Sequence, residues 1–460
     1  MSVSAPTPAP LSFREKFGYG LGDTASNFVF HTINVFLFYY YTDVFGLAAG
    51  AAGTLFIVAR FFDAVSDPLM GALADRTQTR WGKYRPYLLW MAVPFGIAGY
   101  LLFANPDLSA SGKLIYAYIT YILMMLVYTA INIPYSAMLG VITPSSQERT
   151  SLSTFRFVCA FAGQFLIVAA ARPLIAKFGE GNEAAGFQAT MAIFAVVAVG
   201  LFVFTFLTTR ERVQPPPSQK PDLRKELGLL VRNRPWVILS IAGVLTLANV
   251  AIRGAVTVHY FKYYVGDDGT PWFGVFDLTT VFMTSGTLAL IAGVACTPLF
   301  TRFAGKRSLM IWLSAANALA MASFFFIPPE ATVLMLVVNI LGTFIIGPTP
   351  ALVWAMFADA ADYGMWKLGH RSTALVFSSA QFAQKMGLTI GGGVPGIVLA
   401  YYGFVANDIQ TESSLLGVRL LFTILPAAFA IGGVIAIWFY PLRESDVAQM
   451  EQDLATAEST

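Results

Sequence analysis

Long hydrophobic stretches alternate with short polar segments along nearly the whole chain. A membrane-spanning helix needs about 20 mostly apolar residues, more than a typical helix of a soluble domain contains. The pattern predicts twelve such helices, at about Tyr19–Tyr41, Ala48–Leu73, Tyr87–Phe103, Leu114–Leu139, Phe155–Phe178, Phe187–Thr208, Trp236–Val258, Phe276–Phe300, Ser308–Ile327, Thr332–Phe357, Ser372–Tyr402 and Leu415–Tyr440. We therefore predict an all-α, polytopic membrane protein.

The most polar internal segment separates the sixth stretch from the seventh. It contains three consecutive prolines, Pro215 to Pro217, as expected of a linker between two halves. A short repeat agrees with this division, because Thr79–Lys83 precedes the third stretch and Thr301–Lys306 precedes the ninth, its equivalent. We predict two six-helix halves, residues 1–210 and 235–443, with a linker at 211–234 and a tail at 444–460.

Composition argues against a soluble enzyme and against a nucleic-acid-binding protein. The chain is 56% hydrophobic and 12% charged, whereas soluble domains are about 25% charged. Its net charge is only +3, and the basic residues form no continuous basic face. They concentrate instead in alternate loops and in the linker, so the positive-inside rule predicts that both termini and the linker are cytoplasmic.

The second predicted helix holds the richest group of charged residues inside a hydrophobic stretch. Asp63 and Asp67 are four residues apart and share one helical face, close to Arg60. Two neighbouring carboxylates in a membrane repel each other unless they share a proton or a cation. They form a candidate site for a coupling ion. The alternative is that Arg60 neutralises Asp63 and the group only clamps helices together.

Polar side chains in four other predicted helices form a candidate sugar site. The first helix carries Asp23, Asn27, His31 and Asn34 along one stripe, spaced by four, four and three residues. Such a stripe on a spanning helix indicates a face that lines a path. Amides bind sugar hydroxyls, and aromatic rings stack on sugar rings. The other candidates, in the fourth, fifth and eleventh helices, are Tyr128, Thr129, Asn132, Arg156, Gln381 and Lys385.

No cofactor is predicted. No Gly-Lys pair is followed by Ser or Thr, so the chain lacks a Walker loop for nucleotide phosphates. No nucleophile–base arrangement or metal motif indicates an enzyme. The energy for transport is therefore expected to come from an ion gradient.

Several longer motifs occur in a fixed order, namely Tyr40–Val44, Val58–Gly71, Gly71–Arg76, Arg80–Lys83 and Ala358–Gly364. Together they resemble the glycoside–pentoside–hexuronide:cation symporter family of the major facilitator superfamily, over residues 16 to 442. The resemblance implies a major facilitator fold in the bacterial inner membrane. It also implies a monomer that carries a small sugar together with a monovalent cation, either sodium or a proton.

The same resemblance implies roles for three groups of residues. It implies a cation site, a sodium site if sodium is the ion, at Asp63, Asp67 and Thr129. It implies a sugar cavity lined by Tyr128, Arg156 and Lys385. It implies a charged network that opens and closes the inward side, at Asp359, Asp362 and Arg371. Ser66 stands where a family member has Asn, which leaves the choice of cation open.

Two departures from the family bear on the substrate. Asn27 and Asn132 occupy positions at which a galactoside carrier has aspartates. Losing two carboxylates while keeping Arg156 and Lys385 makes the cavity more positive, which favours an anionic sugar such as a uronide or a sulfosugar. Asn still binds the hydroxyls of a neutral glucoside or xyloside, and branches of the family that share Asn132-Ile-Pro-Tyr135 look like carriers of such sugars. We favour the neutral sugar.

Two rival functions remain at this point. Lysolipid carriers resemble the same family and use a similar cation site, but the candidate cavity here is rich in Asn, Gln, His and Tyr. A sugar sensor that does not transport is the other rival, although the segment after Leu442 is short for a signalling domain.

Overall fold

A computed structural model describes residues 11–213, 223–369 and 373–459. Within those ranges the chain is helical and forms no β-strand, and its only bridges are isolated ones, Thr79 with Gly82 and Phe273 with Phe276. The predicted all-helical fold is therefore confirmed for the part of the chain that is described.

The helices follow the predicted hydrophobic stretches, although several stretches are divided in two. Before residue 214 the helices are α1 Phe13–Thr32, α2 Ala49–Arg76, α3 Arg85–Trp90, α4 Ala92–Leu102, α5 Ala110–Ile142, α6 Ser146–Gly179 and α7 Glu183–Thr208. After residue 222 they are α8 Leu223–Arg232, α9 Arg234–His259, α10 Leu278–Ala295, α11 Thr297–Phe300, α12 Lys306–Ser323, α13 Thr332–Ile346, α14 Thr349–Leu368, α15 Thr373–Tyr401, α16 Glu412–Phe422, α17 Ile424–Trp438 and α18 Glu444–Ser459. Shorter π-helical segments at Ile33–Leu37, Tyr40–Val44 and Tyr260–Val265 and a 3₁₀ turn at Phe324–Phe326 extend three of them.

Eight spans in the described residues are long and apolar enough to cross a membrane. They are Ala110–Ile142, Glu148–Gly179, Glu183–Thr208, Arg234–Val265, Leu278–Ala295, Lys306–Phe326, Thr332–Lys367 and Glu412–Trp438. Two shorter apolar helical segments, Ala49–Arg60 and Ala92–Leu102, lie in the second and third predicted stretches. Length and composition thus show a multi-pass protein, while the predicted count of twelve goes beyond the spans found.

Contacts between residues divide the chain into two compact units. The first unit comprises Met1–Leu47 and Leu55–Ser218. The second comprises Ala48–Thr54 and Gln219–Thr460. In the first unit α1 packs along α6 and α7, and in the second α9 packs along α15 and α17.

Small residues let α1 approach its neighbours closely. A Cβ atom on Gly20 would lie 2.8 Å from the carbonyl oxygen of Phe155 in α6, and one on Gly22 would lie 2.4 Å from the Tyr135 ring in α5. Glycines at spacings of two thus serve helix packing, as small residues commonly do between membrane helices. Tyr135 fixes the crossing further, because its hydroxyl donates to the Tyr19 carbonyl at 2.6 Å.

Replacing Gly20 with Ala is expected to destabilise the protein by about 1–3 kcal/mol, because backbone atoms of α6 must move to make room. Gly200→Ala in α7 is a matched control, since no atom lies within 4 Å of a Cβ at that position. It should leave stability unchanged or raise it slightly by improving helix propensity. Thermal unfolding in detergent measures both, and equal melting temperatures for the two variants would contradict the close packing of α1 on α6.

In each unit, a glutamate accepts hydrogen bonds from backbone amides at the start of the helix that follows the predicted repeat. In the first unit Glu211, just after α7, accepts hydrogen bonds from the backbone amides of Lys83, Tyr84 and Arg85 at 2.8, 2.7 and 2.7 Å. In the second unit Glu444, at the start of α18, accepts one from the backbone amide of Lys306 at 2.7 Å. The short sequence repeat therefore corresponds to a repeated structural contact.

A glycine makes room for the carboxylate in both places. A Cβ atom on Gly82 would lie 2.5 Å from the carboxyl carbon of Glu211, and one on Gly305 would lie 2.4 Å from the Cγ of Glu444. Each glutamate also directly follows an arginine, in Arg210-Glu211 and Arg443-Glu444. The two units thus use the same local chemistry after their last long helix.

The segments expected as linker and tail contain helices in the second unit. Leu230 of α8 and Met450 of α18 are both buried in one apolar cluster with residues of α14. The Trp366 indole of α14 donates to the Asp453 carboxylate of α18 at 2.9 Å. The tail is therefore packed against a long helix.

Candidate functional site

One face of α1 is partly exposed whereas its other positions are mostly buried. The partly exposed residues include Asp23, Asn27 and His31 of the predicted stripe, and Asn34 continues the stripe in the π-helical segment Ile33–Leu37. Between them, Thr24, Ala25, Ser26, Phe28 and Val29 are buried against the rest of the unit. The stripe therefore forms a partly accessible polar face, the kind of surface that can line a path.

The predicted cation residues come together between α2 and α5. The Thr129 hydroxyl lies 3.0 Å from an oxygen of Asp63 and 3.0 Å from an oxygen of Asp67. Asp63 and Thr129 are buried, at 3% and 2% exposure, and Asp67 is partly exposed. One hydroxyl therefore joins the two carboxylates, and one of them remains accessible.

The interaction between Arg60 and Asp63 is looser than that between Thr129 and Asp63. The closest guanidinium nitrogen of Arg60 is 3.8 Å from Asp63, beyond hydrogen-bonding distance. Arg60 also lies over the Phe30 ring of α1, at 5.8 Å from its centroid. It therefore supplies positive charge beside Asp63 from outside hydrogen-bonding distance.

Arg156 of α6 forms an ion pair with Asp23 of α1. Its Nε and Nη2 atoms donate to the two carboxylate oxygens of Asp23, and Nη2 also donates to the Ser136 hydroxyl at 3.3 Å. The guanidinium lies over the Tyr135 ring, at 4.9 Å from its centroid. The two charged side chains keep exposures of 23% and 14%, so part of each is open to a ligand.

Aromatic and amide groups continue this polar surface along α1. The Tyr128 ring stacks on Phe30 at 4.9 Å between centroids, so Phe30 covers one face of that ring. The His31 ring nitrogen lies 3.2 Å from the side-chain amide of Gln164 in α6. Asn132 is partly exposed on α5, one turn from Tyr128. The first unit thus presents carboxylate, amide, imidazole and guanidinium groups with aromatic rings.

The second unit carries the remaining predicted residues. Gln381 and Lys385 lie one turn apart on α15, the first exposed and the second partly exposed. Asp359 of α14 forms an ion pair with Lys306 of α12, and Asp362 lies three residues further along α14. Arg371 lies outside the described residues.

Gln164 was not predicted as a site residue, and Asp23 was given no role beyond its place in the stripe. The membrane cost of a carboxylate also applied to Asp23. Gln164 lies in α6 two turns beyond Arg156, a spacing that places both side chains on one helical face. Periodicity on α6 is therefore the signal that identifies it.

Charged groups at one end of the first unit join α1 to the segment after α7. Arg212 donates from Nη1 and Nη2 to the two carboxylate oxygens of Glu15, at 2.6 and 2.8 Å. This hydrogen bonding raises the pKa of the Arg212 guanidinium above its ordinary value. Lys16 pairs with Glu148 at the start of α6, at 2.9 Å. These contacts hold α1 against the start of α6 and against the segment that follows α7.

The described residues contain no group of three His, Cys, Asp or Glu side chains placed to hold a metal ion. The carboxylate pair with Thr129 has a different composition, with two acidic residues and a hydroxyl. Such oxygen donors suit a hard monovalent cation or a proton.

Comparison with known families matches residues 18–444 to the family described as MFS/sugar transport protein. A putative glycoside/cation symporter, YagG of Escherichia coli (strain K12), is 40% identical over 446 residues, which cover 96% of this chain and 95% of that protein. The isoprimeverose transporter of Lactiplantibacillus pentosus is 36% identical and covers 98% of this chain and 95% of its own. The glucuronide carrier protein homolog of Escherichia coli (strain K12) is 31% identical, with 94% and 93% covered.

Among solved structures, the fold is similar to that of a D-xylose-proton symporter. The TM-score is 0.61 at 15% sequence identity, and the match covers 93% of this chain and 94% of that one. At this identity the likeness concerns the fold alone, which is the helical fold of major facilitator transporters.

Proposed function

This chain belongs to the MFS/sugar transport protein family and is a multi-pass membrane transporter, not an enzyme; from that premise we propose that it carries a sugar together with a cation by alternating access. The observation that carries the proposal is the contact of one hydroxyl, that of Thr129, with both Asp63 and Asp67. The proposal includes sodium and protons as candidate ions.

The chemistry of that contact favours a bound cation or proton. The Thr129 hydroxyl has a single hydrogen and donates it fully to only one carboxylate at a time. Arg60 supplies one positive charge near the pair, and a cation or a proton at the oxygens that Thr129 contacts would balance the second carboxylate. Such a site changes its net charge when the ion enters and leaves, and coupling to an ion gradient requires this change.

The proposed cycle links this site to the sugar surface through α1 and α2. A cation at Asp63 and Asp67 removes their repulsion and orders α2 against α5, which also carries Tyr128 and Asn132. Sugar then binds more tightly, and by thermodynamic reciprocity the bound sugar raises the cation affinity by the same factor. The loaded protein opens to the other side and releases both.

A neutral glycoside of the glucoside or xyloside type is the proposed substrate. Asp23 neutralises Arg156, one of the two cations whose charge favours an anionic sugar. The similarity to an isoprimeverose transporter at 36% identity supports the same choice. A uronide or sulfosugar, or a lysolipid, is the alternative outcome of the substrate tests.

The membrane arrangement is proposed from the distribution of basic residues. We propose twelve spans, with both termini and the segment between the units on the cytoplasmic side of a bacterial inner membrane. This arrangement places most Lys and Arg residues on the cytoplasmic side. On this arrangement Asp359 and its partner Lys306 lie near the cytoplasmic side. We include Asp359, Asp362 and Arg371 in a charged network that controls opening on that side, and we expect a monomer.

Asn27→Ala is expected to weaken sugar binding by about tenfold, because an amide that pairs with a sugar hydroxyl contributes on the order of 1.4 kcal/mol. Asn27 lies one turn from Asp23 on the partly exposed face of α1 and has no part in the Asp63 site. Cation binding in the absence of sugar should therefore stay unchanged. Calorimetric titration measures both affinities, and an unaltered sugar affinity would remove Asn27 from the site.

Sugar counterflow in proteoliposomes tests the function itself. Vesicles loaded with an unlabelled glycoside should transiently accumulate the labelled glycoside from a dilute outside solution, without any ion gradient. A sensor that only binds sugar produces no such accumulation. Vesicles loaded with lysolipid, or left empty, serve as controls, and counterflow only with lysolipid would assign the protein to lipid transport.

A further inference from the structure

Asp23 is a charged residue of the polar surface to which neither the sequence nor the comparisons assign a role. It follows Gly22 in α1, where the close approach to Tyr135 of α5 holds the helix in place. Its carboxylate binds Arg156 of α6 through two hydrogen bonds. Two helices of the first unit therefore meet at this ion pair.

Further contacts fix the position of Arg156. Its Nη2 atom reaches the Ser136 hydroxyl at 3.3 Å, and the Tyr135 ring covers one face of the guanidinium. An arginine has five N–H donors, and the contacts to Asp23 and Ser136 occupy the Nε hydrogen and those of Nη2. These contacts hold the guanidinium in one orientation at the polar surface.

The pair offers a neutral sugar both kinds of hydrogen-bonding group. The partly exposed guanidinium of Arg156 is a donor, while each carboxylate oxygen of Asp23 keeps a lone pair that accepts from a hydroxyl. Two adjacent hydroxyls of a sugar supply one acceptor and one donor, which matches this arrangement. Since 14% of Asp23 and 23% of Arg156 are exposed, a ligand can reach both side chains.

An anionic sugar binds this ion pair less favourably than a neutral sugar does. Its carboxylate would lie close to Asp23 and be repelled, and it could pair with Arg156 only by displacing a bidentate partner. Displacement would leave the Asp23 charge in a membrane environment without a counter-charge, which is costly. The pair therefore discriminates against anions by an unfavourable contact as well as favouring neutral sugars.

We propose that Asp23 determines the substrate class: by neutralising Arg156 it restricts the site to neutral glycosides, and loss of its charge admits a uronide. The inference rests on the proposed sugar transport and adds a specificity-determining residue to it. Asn27 and Asn132, which stand where a related carrier has aspartates, then act through their amides, and Asp23 supplies the negative charge from one turn earlier on α1.

The test compares two sugars that differ only at C6, methyl β-glucoside and methyl β-glucuronide. Asp23→Asn keeps the size of the side chain and removes its charge. The ratio of glucuronide to glucoside transport, measured by counterflow, should rise by at least about tenfold over that of the unaltered protein. Asp107→Asn is the matched control, because it removes a carboxylate from the exposed segment between α4 and α5, away from the ion pair, and its ratio should stay unchanged.

A double variant separates charge from structure. Asp23→Asn with Asn27→Asp moves the carboxylate by one turn along the same face of α1, so the surface regains its negative charge. The transport ratio should return toward that of the unaltered protein. A merely structural role for Asp23 predicts that both variants lose transport of the two sugars equally, and that result would overturn the inference.

The outcomes distinguish the inference from the function on which it rests. If the unaltered protein shows no counterflow of any sugar, the proposed function fails whatever Asp23 does. If it transports glucoside and the Asp23→Asn ratio is unchanged, only the inference fails. Should Asp23→Asn not fold, the unaltered protein still tests the inference, because it must transport glucoside and exclude glucuronide, and equal transport of the two sugars would overturn the inference.

Discussion

Replacing Asp63 with Asn is expected to abolish sugar accumulation against a gradient. A single positive charge moved across 100 mV supplies about 2.3 kcal/mol, enough for accumulation of about 50-fold. Without the carboxylate, the cation loses its main ligand, and sugar should at most equilibrate, with an inside-to-outside ratio of about 1 by the same arithmetic. Asp67→Asn should act in the same way because Thr129 contacts both residues. Accumulation in right-side-out vesicles measures the effect.

The exposed residue Asp107 provides the control for these two variants. It lies in the segment between α4 and α5 of the same unit, so Asp107→Asn removes the same charge away from the site. Its accumulation should equal that of the unaltered protein. Counterflow, which needs no ion gradient, shows whether the Asp63 and Asp67 variants are still folded carriers. Undiminished accumulation by both variants would refute the cation site.

Replacing Glu211 with Ala is expected to lower the stability of the protein by about 2–4 kcal/mol. Three backbone amides at the start of α3 donate to this carboxylate, and charge-assisted hydrogen bonds contribute about 1.5–3 kcal/mol each before rehydration of the freed amides is deducted. The negative charge also lies at the positive end of the α3 dipole. Thermal unfolding in detergent, followed by tryptophan fluorescence, measures the loss.

Three further variants serve as comparisons for the stability of Glu211→Ala. Arg210→Ala alters an exposed side chain one residue earlier and should change stability by less than about 0.5 kcal/mol. Glu211→Gln, which keeps an acceptor oxygen but no charge, should fall between Arg210→Ala and Glu211→Ala. Glu444→Ala removes the acceptor of one backbone amide in the second unit and should cost less than Glu211→Ala. Equal stability of Glu211→Ala and Arg210→Ala would contradict this account of the repeat.

The sequence predicted the helices because hydrophobic length is a property of each segment alone. It did not predict where helices break, at Met91, Cys296 and Thr423, since each break depends on local backbone geometry and packing. It also identified the short repeat but not the glutamate that binds next to each copy. Glu211 lies well over a hundred residues from the amides that it binds, and a lone glutamate after a spanning helix carries no signal of its partner.

The candidate site likewise contains residues whose proximity the sequence predicted and residues whose proximity it did not. Asp63 and Asp67 were predicted because both lie on one helix, where spacing fixes their relative position. Asp23 and Arg156 are 133 residues apart, and the choice of Asp23 as partner follows from the crossing of α1 and α6. The residue types along the surface could therefore be predicted from the sequence, whereas its charge balance could not, and that balance bears directly on the substrate.

Cation-dependent sugar binding to the purified protein tests the central claim most directly. Calorimetric titration with methyl β-glucoside and methyl β-glucuronide, with and without sodium at two pH values, separates the ion from the sugar. The account predicts that glucoside binds and that sodium, or protons in its place, tightens the binding, whereas Asp63→Asn removes the dependence on the ion. Sugar affinity that is the same in every ionic condition, and the same in Asp63→Asn, would contradict a cation-coupled sugar transporter.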